Sequence, residues 1–252
     1  MEFKDKVVLI TGGSRGIGKA TSIEFDICGA NVIINYSQNK AKAEELLKSL
    51  KGQNHSIYQA DLRQPSQIKE MVDFVIYKYE RIDILVNNAG IFQRHDIDNI
   101  NFEDWANVWK DTIDTNLIGV ANLCYYSAEH MIAQNSGRII NVSSRGAFRG
   151  EPNSPAYGAS KAGLNSLSQS LAKYLGKYNI GVSVVAPGFV KTEMSEEILK
   201  TDEGIFIKNE SPFGRVAKPE EIAHAITYLA SDKAEFSTGA IIDINGASYL
   251  RS

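Results

Sequence analysis

A chain of 252 residues, 43% apolar and 23% charged, is long enough for one sizeable core and has an ordinary globular composition. Its 27 basic and 30 acidic residues leave a net charge of −3, which gives no support to a nucleic-acid partner or to a polybasic membrane surface. No apolar run approaches the roughly 18 residues of a membrane span, and Met1–Asp5 leads into a strand without a signal-peptide apolar region, so a cytoplasmic protein with no membrane role is expected.

Lys6–Ile10 is a continuous apolar run, the mark of a strand covered on both faces. It ends in Thr11-Gly12-Gly13-Ser14-Arg15-Gly16-Ile17-Gly18, after which a helix begins at Lys19. Glycines 12, 16 and 18 let backbone amides approach a pyrophosphate, and a helix N-terminus adds partial positive charge. Cys28, and Cys124 further on, lack metal or redox spacing and read as two buried free thiols. The four histidines show no ligand spacing, so no metal is expected.

A second strand, 31–36, brings Asn35, Tyr36 and Ser37 to the place where a carboxylate would accept from the adenosine ribose of NAD. No acid stands there, and Arg15 and Lys40 are available cations, so NADP(H) is favoured, with NAD(H) possible. Helix 39–51 and strand 55–60 lead to Asp61 and Leu62, again at a strand's carboxyl end. A helix from Gln64 to Lys78 precedes strand 82–86, which ends in Asn87-Asn88-Ala89-Gly90. Alternating strands and helices predict a parallel sheet.

Residues 91–104 are irregular and polar, and His95 among them is expected on a surface loop. Trp105, Trp109, Ile113, Leu117, Val120 and Leu123 form one helical stripe, read as core, with Asn116 a polar amide inside it. Strand 138–142 delivers Ser143 and Ser144, and helix 156–178 opens on Tyr157 and Lys161. Positions four apart share a helical face, so phenol and ammonium can meet beside a hydroxyl, a set suited to proton transfer at a carbonyl or alcohol oxygen. Tyr36 and Lys40 repeat the spacing without that context. Gly158, Ala162, Ser166 and Ser170 are expected on the outward flank of this helix, either packing against a second copy (a homo-oligomer, dimer or tetramer) or solvated. Strand 182–186 ends in Pro187-Gly188, residues 189–218 show no strong period and suit a binding loop or lid, and helix 219–230 and the run 240–244 close the chain. The expectation is one α/β domain over 1–252, a Rossmann-type doubly wound parallel sheet with helices on both faces.

Taken together, TGGSRGIG at 11–18, Asp61, NNAG at 87–90, Asn116, Ser144, Tyr157-x3-Lys161 and Pro187-Gly188 with Thr192 resemble the short-chain dehydrogenase/reductase family over essentially the whole length. SPFGRVAKPEEIA at 211–223 is similar to its 3-oxoacyl-[acyl-carrier-protein] reductase branch. Two departures are a longer stretch between Trp105 and Asn116, and INGAS in place of a common ending. The resemblance implies a catalytic set of Asn116, Ser144, Tyr157 and Lys161. Tyr157 would be general acid or base, made more acidic by Lys161; Ser144 would bond the substrate oxygen; Asn116 would hold a water leading from Lys161 to solvent. It also implies nucleotide contacts from Gly12, Ser14 to Gly18, Asn35 to Ser37, Asp61, Leu62, Asn88 to Gly90, Tyr157, Lys161, Pro187, Gly188, Val190 and Thr192. The substrate would be a small carbonyl or an acyl thioester; a sugar or polyol dehydrogenase, or a non-catalytic dinucleotide-binding scaffold, are the alternatives.

Overall fold

The computed structural model describes residues 2–193 and 195–251. Seven strands, β1 (Val7–Ile10), β2 (Asn31–Tyr36), β3 (Ser56–Gln59), β4 (Ile84–Asn87), β5 (Gly137–Val142), β6 (Ile180–Pro187) and β7 (Ile241–Ile244), form one sheet in the order β3-β2-β1-β4-β5-β6-β7. Every pairing is parallel. Strand residues alternate faces, and both faces are buried. Val7, Leu9 and Ile33 point into a core shared with α3 (Pro65–Tyr79), α5 (Gly119–Gln134) and α7 (Pro155–Leu175). Val8, Ile10, Val32 and Ile34 point into the opposite core under α1 (Gly16–Ile27), α2 (Lys40–Ser49) and α9 (Pro219–Ala230). Each such side chain taken from water contributes roughly 1.5–3 kcal/mol. That is why uninterrupted apolar runs, rather than alternating ones, specify these strands.

Between β1 and β4 the direction of winding reverses, which opens a crevice at the strands' carboxyl ends. The expected helix through Trp105 and Leu123 is three pieces: α4 (Phe102–Ile113), a π-helical turn Asp114–Ile118, and α5. Val120 and Leu123 are core, whereas Trp105, Trp109, Ile113 and Leu117 are only half-buried. The wide turn admits an extra residue where the chain passes the crevice, as such turns often do at functional sites. α7 stops at Leu175 and continues as a 3-10 turn over Gly176–Tyr178. Gly158 is buried against the Gly146 carbonyl, so it does not belong to the outward flank, while Ala162, Ser166 and Ser170 do. Cys124 is buried as expected, with its thiol pushed up to about 12, but Cys28 is only half-buried because it caps the end of α1. The stretch 189–218 holds more order than its sequence suggests, including α8 (Asp202–Asn209) and a Val190–Ala217 bridge.

Candidate active site

The glycine loop follows β1 and enters α1. A Cβ on Gly18 would fall 2.3 Å from the Gly12 carbonyl oxygen, so only glycine lets the helix start lie on the loop. Asn35 at the end of β2 is buried and spends its amide internally, its Oδ1 accepting from Gly12 N at 3.3 Å and its Nδ2 donating to Ala60 O at 3.1 Å. Tyr36 is also buried, which leaves Ser37, Lys40 and Arg15 among the exposed groups on that side, with Lys40 paired to Glu44. From β4, Asn88 Nδ2 donates to the carbonyl of Thr11 at 2.9 Å, and Asn88 N and Ala89 N donate to Thr11 Oγ1 at 3.0 Å. From β6, Thr192 crosses to the loop: its Cγ2 would stand 3.0 Å from a Cβ on Gly16. Beside it Glu193 pairs with Lys42 and is held below the usual carboxylate range by that bond and by the charges of Lys42, Arg15 and Lys19, against its own desolvation. The glycine cradle, the inward amides and this collection of cations fit a dinucleotide phosphate.

Asp61 lies at the end of β3 as expected, but its carboxylate is bound by Arg63, with Nη2 2.7 Å from Oδ2. Leu62 beside it is buried. Gly188 N donates to Ile244 O at 3.1 Å and Val190 is buried, so these two serve the backbone of the crevice.

Ser144, Tyr157 and Lys161 converge at the end of β5. Ser144 Oγ accepts from Gly146 N at 3.0 Å, which leaves its own proton free for an oxygen, and it lies close enough to the Tyr157 phenol to lower its pKa. Lys161 is 4% exposed and its ammonium donates to Val142 O at 2.9 Å. A Cβ on Gly90 would lie 3.4 Å from that ammonium and 3.3 Å from Asn116 Oδ1, so Gly90 is where β4's end meets both residues. Phe92 stands edge-on to Tyr157, centroids 5.1 Å apart.

The expected net direction of the Tyr157 shift needs correction. Lys161 sits 5.8 Å from the Tyr157 ring centroid and gives its ammonium to the Val142 carbonyl, not to the phenol. Burial pushes Tyr157 above its ordinary value, with the Ser144 hydroxyl opposing and the Glu151 charge adding to the rise. Lys161 is itself lowered to about 8 by burial. Asn116 is fully buried, and its side chain is committed to protein: Oδ1 accepts from Ile91 N at 2.9 Å, and Nδ2 donates to Ile91 O at 3.0 Å and Ser160 Oγ at 3.1 Å. It splices the loop after β4 to α7.

His95 is not a surface residue: it is 2% exposed. Its Nδ1 donates to Gln93 O at 2.9 Å, and Nε2 accepts from Ala156 N at 3.3 Å, one of the orphan amides at the start of α7. The residue that caps Tyr157's helix is therefore 61 positions away, which is why periodicity missed it. Also missed were Arg145, Arg149 and Glu151, although charges packed so closely after Ser144 were a visible signal.

Against known proteins, the short chain dehydrogenase profile matches residues 6–203. The chain is 40% identical over 252 residues to the 3-oxoacyl-[acyl-carrier-protein] reductase FabG of Thermotoga maritima, covering 99% of this chain and 100% of the relative. It is 36% identical over 250 residues to the FabG of Staphylococcus aureus, covering 97% of this chain and 98% of the relative. A solved short chain dehydrogenase/reductase family protein superposes with a TM-score of 0.88 at 31% identity, over 99% of each chain. Fold and relatives together define an NAD(P)-dependent oxidoreductase acting on carbonyl and alcohol groups. The chain belongs to the short-chain dehydrogenase family.

Proposed function

We propose that this protein is an NADP(H)-dependent reductase of a carbonyl group on an acyl thioester, with Ser144, Tyr157 and Lys161 as its catalytic residues and Asn116 as the splice that positions them. The observation that carries the reading is the Ser144 hydroxyl, its oxygen fixed by Gly146 N, set beside a phenol that burial keeps protonated and near the Lys161 ammonium. When bound, the reduced nicotinamide supplies hydride to the carbonyl carbon. Tyr157 gives its proton to the carbonyl oxygen as negative charge develops there, and Ser144 donates to the same oxygen. The product is the alcohol and a phenolate. Lys161, poised near 8, then carries an ammonium charge that offsets the phenolate's.

Preference for the 2′-phosphate rests on Arg15, exposed at the glycine loop, and on Asn35 standing where a carboxylate would repel it. The thioester substrate is supported by relatives of matching length named as 3-oxoacyl-[acyl-carrier-protein] reductases. Gly12, Ser14, Gly16, Ile17 and Gly18 would lie along the pyrophosphate, Asp61 and Leu62 near adenine, and Pro187 to Thr192 at the nicotinamide end. The exposed flank of α7, with Ala162, Ser166 and Ser170, is assigned to a second copy of the chain.

Tyr157→Phe is expected to lower NADPH oxidation with an acetoacetyl thioester by at least about a thousandfold, while NADPH affinity changes by less than about threefold. Turnover near the native rate in that variant would place the proton donor elsewhere.

A further inference from the structure

Helix α8 is fastened at each end to one of the two loops that flank Tyr157, and the two fastenings differ in kind. At its first turn Glu203 accepts from Arg94 Nη2 at 2.8 Å, the side chains 46% and 51% exposed. At its other end Glu210 Oε2 stands 2.5 Å from Arg145 Nη2, and Oε1 accepts from Arg149 Nη1 at 2.8 Å. The Arg145 side chain is 3% exposed and that of Glu210 16%. An exposed pair is screened by water and salt and weak, whereas a buried pair is costly to break because one charge is then left uncompensated.

The buried end leads directly to the serine. Arg145 is its peptide neighbour, donates its amide to Pro187 O at 2.9 Å, and lays its guanidinium over the Phe189 ring at 5.3 Å. Arg149 reaches on to Glu151 Oε1 at 3.7 Å. The Glu151 carboxylate in turn packs on Gly146, where a Cβ would fall 2.5 Å from Oε1. Gly146 N is the donor that fixes Ser144 Oγ. Neither the nucleotide cradle nor the proton transfer uses Arg145, Arg149 or Glu210.

We propose that Arg145 and Glu210 are positioning residues, the buried anchor on which α8 pivots over the site, with Arg94 and Glu203 as the exposed latch at its free end. Through the anchor, α8 is coupled to the loop that holds Ser144. The proposal rests on the reading of Ser144 and Tyr157 as the catalytic pair. It makes the ends of α8 unequal: opening begins at Glu203 and stops at Glu210.

The test is amide hydrogen exchange by mass spectrometry on the full chain, paired with steady-state kinetics on an acetoacetyl thioester. Glu203→Gln is expected to speed exchange in 202–205 alone and to change KM by less than about threefold. Glu210→Gln is expected to speed exchange in both 202–209 and 144–151, and to raise KM by about tenfold or more. Its kcat should fall less, and its NADPH Kd should stay within roughly twofold. Should Glu210→Gln fold poorly, Glu210→Asp keeps the charge but shortens its reach to Arg145, and is expected to show the same joint loosening and KM rise to a smaller degree. Loosening of α8 without 144–151, or an unchanged KM in both anchor variants, overturns the proposal. Exchange judges the anchor by itself, while turnover of Tyr157→Phe judges the catalytic reading, so the two fail separately.

Discussion

At Lys161 the side chain is 4% exposed, its ammonium donates to the Val142 carbonyl, and burial brings its pKa down to about 8. In the unfolded chain the same group titrates near 10.5. Between those values the unfolded chain binds a proton that the native protein has released, so native stability rises with pH across the window. Below about 8 the native state carries the full cost of a buried ammonium. Lys161→Met removes that cost. The native protein is therefore expected to gain on the variant between pH 8 and pH 10.5, by up to about 3 kcal/mol, in urea midpoints measured without nucleotide. A pH-independent difference would mean that the ammonium is solvated. Tyr157 and Lys161 were legible as partners from their spacing on one helix. Which of them holds a shifted pKa, and in which direction, was not, because desolvation depends on what the rest of the fold packs around them.

Among the elements, α7 carries Tyr157 and Lys161 and is held at several points along its length. His95 caps its first turn, Asn116 reaches Ser160 from the π-helical turn, and Asn141 Nδ2 donates to Ser168 Oγ at 2.8 Å from β5. Ser154, at the N-cap, makes no side-chain cap bond, so the imidazole supplies the acceptor that the local sequence does not. His95→Ala is expected to destabilise the protein by about 1–2 kcal/mol in thermal or urea unfolding and to lower kcat through a less fixed Tyr157, with nucleotide affinity little changed. His95→Asn, which retains a short acceptor, should recover part of both; if it recovers neither, the cap is not what His95 contributes. Helix boundaries were mostly readable from apolar period and from Pro155 and Pro219 at first-turn positions. The π-helical turn was not, since every residue from Trp105 to Leu123 is compatible with an unbroken helix.

For the molecule as a whole, the crevice is lined from the carboxyl ends of β1 to β6, whose loops touch one another across the sheet, as Thr192 does with Gly16 and Glu193 with Lys42. A ligand that binds only this assembled form stabilises it by mass action. NADPH at a hundredfold excess over its Kd is expected to raise the unfolding free energy by about 2.7 kcal/mol. Arg15→Ala should cut the NADPH effect at fixed concentration well below that of the native protein while leaving the NADH effect nearly unchanged, both read as shifts in Tm. Equal losses for the two nucleotides would remove the case for a 2′-phosphate contact at Arg15.

Local pattern was enough to indicate the parallel sheet and the glycine turn, and to set Tyr157 and Lys161 on one helical face after Ser143 and Ser144, because strand burial, tight turns and helical spacing are properties of neighbours in the chain; resemblance to the family singled out Ser144. The tertiary structure alone decided that His95 is an inner cap, that Asn116 is a splice, and that Glu210 answers Arg145 from 65 residues away. Such contacts are chosen by which loops the fold brings to one edge, and local periodicity keeps no record of which loops meet there.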